Sequence, residues 1–359
     1  MLEVNIKKKI GSFILDVNFD VDKEILSILG PSGSGKTVTL FCIAGLIRPD
    51  SGSIRLNGRS LYDSEKRICL SAQQRNIGFV FQNYALFPHL TVNENIAYGI
   101  RNQSREAISG YVQELLDLMH IPDLGKRYPR EISSGQQQRV ALARAIAPAP
   151  DALLLDEPFS ALDTPQRERL EYELIGIQQL YKKDFLFVTH DLAQGYKLST
   201  RLAVFDAGHL AQCDYKNNVV TRPANQTVAK LTGIKNLMEG YVLSIDGENV
   251  KVAVPELERP LQIDNHNCNH LVVNQPVFVG IRPEYVELAV EDGENTICCQ
   301  TCQLVDGVTS IHGRFNASSD TDKKYNLEVD LRRCSKITAA EGCSCLLYFP
   351  PERLVVFDR

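Results

Sequence analysis

Two short segments of the chain carry residue types suited to phosphoryl chemistry. Gly30-Pro31-Ser32-Gly33-Ser34-Gly35-Lys36-Thr37 satisfies the pattern G-x-x-x-x-G-K-[ST] in full. Glycines at these positions let backbone N–H groups close around phosphate oxygens. The Lys36 ammonium supplies a point charge for the β and γ phosphates, and the Thr37 hydroxyl can ligate Mg²⁺. The helix that follows adds its positive N-terminal end. Far along the chain, the apolar run Ala152-Leu-Leu-Leu ends in Asp156 and Glu157. Asp156 is suited to hold a magnesium shell, and Glu157 to orient or deprotonate an attacking water. A nucleoside triphosphate with Mg²⁺ is the ligand these residues fit together.

Such groups need strands and helices to hold them. Leu2 to Ile6 alternates apolar and polar residues, and Phe13 to Phe19 partly does so. Ile25 to Leu29 is a short apolar run that stops at the glycine loop, and Val38, Leu40, Phe41, Ile43 and Ala44 then take helical spacing. Strand, glycine loop and helix open a nucleotide-binding α/β unit. Further buried strands are expected over Ala152 to Asp156 and Asp184 to Thr189, each after a helical segment. That alternation predicts a mostly parallel sheet covered on both faces.

A third segment adds a family. Ile132-Ser-Ser-Gly-Gln-Gln-Gln-Arg139 stands 17 residues before Asp156, counted from Arg139, and heads a helix over Val140 to Ala147. It resembles the signature Leu-Ser-Gly-Gly-Gln of ATP-binding cassette (ABC) proteins. Gln82 in Val80-Phe-Gln-Asn83, the segment Ser160-Ala-Leu-Asp163, and His190 in Val188-Thr-His-Asp191 resemble that family's Q-loop, D-loop and switch histidine, in the family's order, over residues 1–232.

The resemblance implies an ATPase working as a pair. Two copies would dock head to tail, with ATP between the phosphate loop of one and Ser133, Ser134, Gly135 and Gln136 of the other. Catalysis would fall to Glu157, Gln82 and His190. Mg²⁺ would be held by Thr37, Asp156 and Gln82, and Asp163 would serve the D-loop. Phe13 either stacks on adenine, as an aromatic of that region does in the family, or fills the core. One position departs from the pattern: Ser134 stands where the signature has its first glycine. If that site needs a left-handed backbone or close approach, the side chain costs on the order of 1 kcal/mol and weakens the ATP-bound pair.

Composition narrows the class. The 359 residues are 44% hydrophobic and 23% charged, with a formal net charge of −5. These values exclude a disordered chain, and the acidic balance argues against a nucleic-acid partner. No stretch has the roughly 20 apolar residues of a membrane span, and the N-terminus has no apolar signal core. The expected place is the cytoplasmic face of the membrane, held through a partner. A single phosphate loop without membrane helices excludes an exporter half-subunit. Residues 84–150 suit a compact helical subdomain. Within it, Tyr84 to Ile96 resembles the face that importer cassettes present to their permease, although Tyr84 and Phe87 could instead be core.

After about Gly233 the texture changes to short alternating runs, such as Gly240 to Ile245, Asn249 to Val254 and Gln275 to Ile281, divided by turns such as Asp246-Gly247. A small all-β barrel-like or sandwich domain is expected over 233–359. Phe278 to Leu288 matches Leu346 to Val356, with their Pro-Glu pairs 68 residues apart. This reads either as two copies of one β unit or as coincidence. The region resembles the oligosaccharide/oxyanion-binding-type regulatory domains of importer cassettes. Asn57 to Arg75 resembles the molybdate, tungstate and sulfate branch, with iron, polyamine or sugar import as the alternative. Permease subunits and a separate substrate-binding protein would be the partners. A soluble ABC regulator without a permease is the remaining class. Seven of the ten cysteines lie at or beyond Cys268. Their spacing lacks the paired C-x-x-C of a zinc site, and alternation along strands accounts for several as small buried residues.

Overall fold

In the computed structural model, the run Ile25–Leu29 is a strand buried at every residue. The structure describes all residues except 102–103, 161, 248, 258, 265–270, 318–325, 333–341 and 359, so Ala161, Cys268 and Cys334 lie outside it. The chain forms two units, Met1–Lys216 and Asn217–Arg359.

The first unit begins with β1 (Leu2–Ile10), β2 (Phe13–Val21), β3 (Ile25–Leu29) and α1 (Lys36–Ala44). Next come β4 (Ser51–Leu56), β5 (Arg59–Asp63), β6 (Ile68–Cys69) and β7 (Ile77–Val80). Three helices follow, α2 (Val92–Ala97), α3 (Arg105–Leu118) and α4 (Ser134–Ile146). The unit closes with β8 (Ala152–Asp156), α5 (Thr164–Tyr181), β9 (Asp184–Val188), α6 (Leu192–Leu198), β10 (Arg201–Asp206) and β11 (His209–Tyr215).

One sheet of eleven strands runs β6-β5-β4-β1-β2-β11-β10-β3-β9-β8-β7. The stretch from β10 to β7 is parallel throughout. Strands β3, β8 and β9 are buried at all positions, as expected where both faces of a parallel sheet are covered. Their C-terminal ends deliver, side by side, the glycine loop, Asp156–Glu157 and His190. Ligands of open α/β sheets bind at this edge. One core joins Val92, Ile96, Val112, Leu116 and Val140 of α2, α3 and α4 to Val80, Leu155 and Phe187 on one face of the sheet. Tyr84 is buried in it, so its expected place on a partner-facing surface is corrected. Phe87 stays partly exposed, with its ring 4.3 Å from that of Tyr98, which is 64% exposed.

Helix α1 is fixed at its far end by Arg75, a fully buried side chain. Its Nη1 donates to Cys42 O and Ile43 O, each at 2.8 Å, and its Nε to Leu70 O at 3.0 Å. Gly45 ends the helix at φ +80, and a Cβ there would lie 2.6 Å from Arg75 Nε.

The second unit carries α7 (Lys216–Thr221) and α8 (Gln226–Leu231), then β12 (Asn236–Asp246), β13 (Asn249–Ala253), β14 (Leu261–Asp264) and β15 (Pro276–Ile281). It ends with β16 (Glu287–Ala289), β17 (Thr296–Asp306), β18 (Ser310–Asn316), β19 (Asn326–Arg332), β20 (Ser344–Tyr348) and β21 (Val355–Asp358). The division falls ahead of the expected Gly233. Arg282 donates to Val220 O and Thr232 O, and Ala229 packs with Phe357, which ties this short helical stretch to the β strands.

Two five-stranded sheets, β14-β13-β12-β15-β21 and β16-β20-β17-β18-β19, enclose one core. Among the described residues, hydrogen bonding pairs the strands as two sheets. Both Pro-Glu segments are 3-10 turns, Pro283–Tyr285 and Pro351–Arg353, and each carries the chain from one sheet to the other. The strands they join pair antiparallel, β15 with β21 and β16 with β20.

Alternation along β17 buries Cys299 opposite Cys345 and exposes Cys298. Cys302 and Cys343 are exposed as well and Cys345 is half-buried, so the expectation of small buried residues holds in full for Cys299 and not for the exposed thiols. Among the described residues no group of three or more His, Cys, Asp or Glu is placed to hold a metal ion, and no helix is long and apolar enough to cross a membrane.

Candidate active site

The glycine loop turns from β3 into α1 through two left-handed residues, Gly33 at φ +80 and Gly35 at φ +103. Gly35 also lacks room for a side chain, since a Cβ would come 2.6 Å from Leu15 Cδ1 and 3.1 Å from Phe13 Cζ. Glycine is the residue that meets both demands. Lys36 folds back over the loop, its Nζ donating to Gly30 O and Pro31 O at 2.8 Å each. Burial pushes its pKa down, while Glu157 and Asp156 pull it up. Ser34 Oγ is buried without a hydrogen-bond partner, an orphan that a phosphate oxygen could satisfy.

Asp156 ends β8 beneath the loop, and Thr37 Oγ1 donates to its Oδ1 at 3.1 Å. Burial is the largest influence on Asp156 and raises its pKa; the Thr37 hydrogen bond lowers it, Glu157 raises it and Lys36 lowers it. A buried carboxylate beside a hydroxyl is a hard-oxygen pair that fits Mg²⁺ completed by phosphate oxygens, and the cation would reverse the burial penalty.

Glu157 takes a left-handed backbone, φ +44, with its N–H on Val188 O at 3.0 Å. One oxygen, Oε2, accepts from Gln82 Nε2 at 3.3 Å and lies 3.4 Å from His190 Nδ1. Three strand ends therefore bring Gln82, Glu157 and His190 together. A non-glycine residue held at positive φ signals backbone strain at a working site.

An open cavity of about 520 Å³ joins these parts, lined by Phe13, Gly33, Lys36, Thr37, Gln82 and Glu157 among others. Phe13 is half-buried at its mouth. Ile10 and Val38 also line it; apolar residues of that kind leave no sequence signal, except that Ile10 precedes the hairpin turn that presents Phe13.

The signature lies elsewhere. Ser133 to Gln136 and Asp163 do not line this cavity. Ser133 caps α4 in a reciprocal box: its Oγ accepts from Gln136 N at 3.3 Å, and Gln136 Oε1 accepts from Ser133 N at 2.9 Å. Ser134 is the first helical residue, exposed and without positive φ. The expectation of backbone strain at Ser134 is therefore corrected, because the helical conformation accepts any L residue. Gly135 is the buried position, with the end of the Gln166 side chain, Oε1, lying over it. Gln166 in turn donates from Nε2 to Asp163 Oδ2 at 2.8 Å, so the signature and D-loop helices touch through one side chain.

A family model described as "ABC transporter" matches residues 14–160. The chain is 40% identical over 297 residues to the spermidine/putrescine import ATP-binding protein of Chromobacterium violaceum, covering 81% of this chain and 80% of that protein. It is 45% identical over 238 residues to the sulfate/thiosulfate import ATP-binding protein of Bradyrhizobium diazoefficiens, covering 64% and 67% respectively. Among solved structures, a dimeric post-hydrolysis state of the ATP-binding cassette MJ0796 with ADP and Pi superposes with a TM-score of 0.53 at 30% identity, covering 60% of this chain and 99% of that one.

Proposed function

Because the chain belongs to the ABC transporter family and is an ATPase of its import branch, we propose that two copies energise a membrane permease by closing over ATP and reopening on its hydrolysis. The observation that carries this reading is the separation of the two half-sites. The phosphate loop, Gln82 and Glu157 share one cavity, and Ser133–Gln136 stand outside it. A signature that recognises phosphate must then meet the cavity of another copy, which fits the dimeric state of the similar cassette.

Within each half-site the residues divide the work. Loop N–H groups and Lys36 hold the phosphates, and Phe13 stacks on the base. Thr37 Oγ1 and Asp156 would hold Mg²⁺, which when bound neutralises charge between the β and γ phosphates. Glu157 Oε2 aims at the attacking water. Gln82 fixes that carboxylate and would be a further ligand for Mg²⁺, while His190 lies beside it to donate to the γ-phosphate. Ser133, Ser134, Gly135 and Gln136 then serve the partner's γ-phosphate through the start of α4, and Asp163 lies near the junction.

The cargo reading changes. Relatives named for polyamine and sulfate import support those two substrates, polyamine first, over molybdate. The Asn217–Arg359 unit is proposed as a regulatory module on two related β units. The permease and a substrate-binding protein are the proposed partners at the cytoplasmic face. The test is ATP hydrolysis by the chain co-purified with its permease and binding protein, with putrescine, spermidine, sulfate or molybdate supplied in turn. Stimulation by a polyamine supports the reading; stimulation by sulfate or molybdate alone replaces the cargo. Hydrolysis that never responds to any permease overturns the transport role.

A further inference from the structure

Helix α4 bears the signature at its N-terminus and Arg144 near its other end. The Arg144 guanidinium is forked over the segment that follows Gln82. Nη1 donates to Ala85 O and Nη2 to Tyr84 O, each at 2.7 Å, and Cζ lies 5.4 Å from the centroid of the Phe87 ring. Tyr84 and Ala85 both hold left-handed backbones, φ +61 and +45. Two consecutive non-glycine residues stay there only when their surroundings hold them. That conformation turns both carbonyls toward one planar fork, a geometry that arginine matches and lysine does not. The buried Asn95 secures the next step, donating to Phe87 O at 3.1 Å and accepting from Phe87 N at 2.9 Å.

We propose that Arg144 is a positioning residue for hydrolysis: it clamps the strained turn after Gln82, so that the Gln82 amide stays on Glu157 and moves with the helix whose other end meets the partner's nucleotide. This rests on the role given to Gln82 above. The clamp touches neither substrate nor the reacting atoms. Its effect reaches the chemistry through two residues of backbone and the 3.3 Å contact between Gln82 and Glu157.

The test compares the full-length chain with Arg144→Lys, Arg144→Met, Gln82→Ala and the double variant Gln82→Ala/Arg144→Lys. Expected for Arg144→Lys is a kcat lowered about tenfold, with KM for ATP changed less than about twofold. The double variant should be no slower than Gln82→Ala alone. Amide exchange at Tyr84 and Ala85 should quicken at least about tenfold, a readout independent of catalysis. Should Arg144→Met fail to fold, Arg144→Lys, which keeps the charge, carries the test. Full kcat and unchanged exchange in Arg144→Lys overturn the clamp, as does a loss that multiplies fully onto Gln82→Ala. If Gln82→Ala itself hydrolyses ATP at the normal rate, the role of Gln82 falls and the clamp falls with it; if only the Arg144 variants are normal, the clamp alone falls.

Discussion

Thr37 Oγ1 donates to Asp156 Oδ1 at 3.1 Å, across 119 residues of sequence. The hydroxyl and the carboxylate are therefore already gathered where a cation would sit, and the carboxylate bears the cost of burial. Burial raises the pKa of Asp156 in the folded chain above its ordinary value. A raised acid favours the folded state below its unfolded pKa, and that advantage is lost as pH rises through the folded pKa. At neutral pH the charge is thus a burden on the folded state. Asp156→Asn should raise the thermal midpoint of the nucleotide-free chain and flatten its dependence on pH above 4. It should also remove the extra stabilisation given by Mg²⁺ with ATP. Calorimetry with and without Mg-ATP checks both; a lowered midpoint in the nucleotide-free chain would sink the argument.

Ser134 occupies a helical first position with its side chain exposed. Ser134→Gly should lower chain stability by no more than about 0.5 kcal/mol, since no strain is relieved and some backbone freedom is gained when unfolded. In the proposed ATP-bound pair, a change in turnover then comes from contact with the partner's ATP, and should appear as a shift in the protein concentration at which hydrolysis half-saturates. A marked rise in unfolding midpoint on Ser134→Gly would restore the strain explanation.

Arg75 closes the far end of α1, the helix whose near end faces the phosphates. Arg75→Met removes three hydrogen bonds to backbone carbonyls, two of them buried, and should cost about 2–3 kcal/mol in urea unfolding. Because α1 carries Lys36 and Thr37, affinity for ATP should weaken as well. Normal stability in this variant would mean that water replaces the guanidinium.

The phosphate loop was legible because its chemistry dictates residue types: only glycine fits at Gly35, where both the backbone and the space under Phe13 require it. Gln82, Glu157 and His190 were legible through their order along the chain, and the parallel strands place them at neighbouring ends. Arg75, Arg144 and Asn95 were not legible. Their partners are backbone carbonyls, which are the same in every sequence, and long-range contacts such as Arg144 to Tyr84 leave no local spacing. Ser134 misled for a related reason. A glycine in a motif suggests a left-handed backbone, whereas both Ser134 and Gly135 here lie in the first turn of a helix. The β strands beyond Gly233 were visible in their alternation, yet alternation alone does not say whether ten strands close into one barrel or pair as two sheets. Alternation also left open which face of β17 turns inward, and so which cysteines do: the pattern holds through Cys302, exposed like Cys298, and breaks at Gln303, where the strand bulges.

The most direct test of the central claim is the rate of phosphate release from Mg-ATP by the full-length chain and by Glu157→Gln. With Glu157 as the group that activates water, the variant should be at least about 100-fold slower in kcat while binding ATP within a few-fold of the original affinity, and ATP should accumulate in a dimer that the original chain forms only transiently. A Glu157→Gln chain that hydrolyses ATP at the original rate would contradict the account.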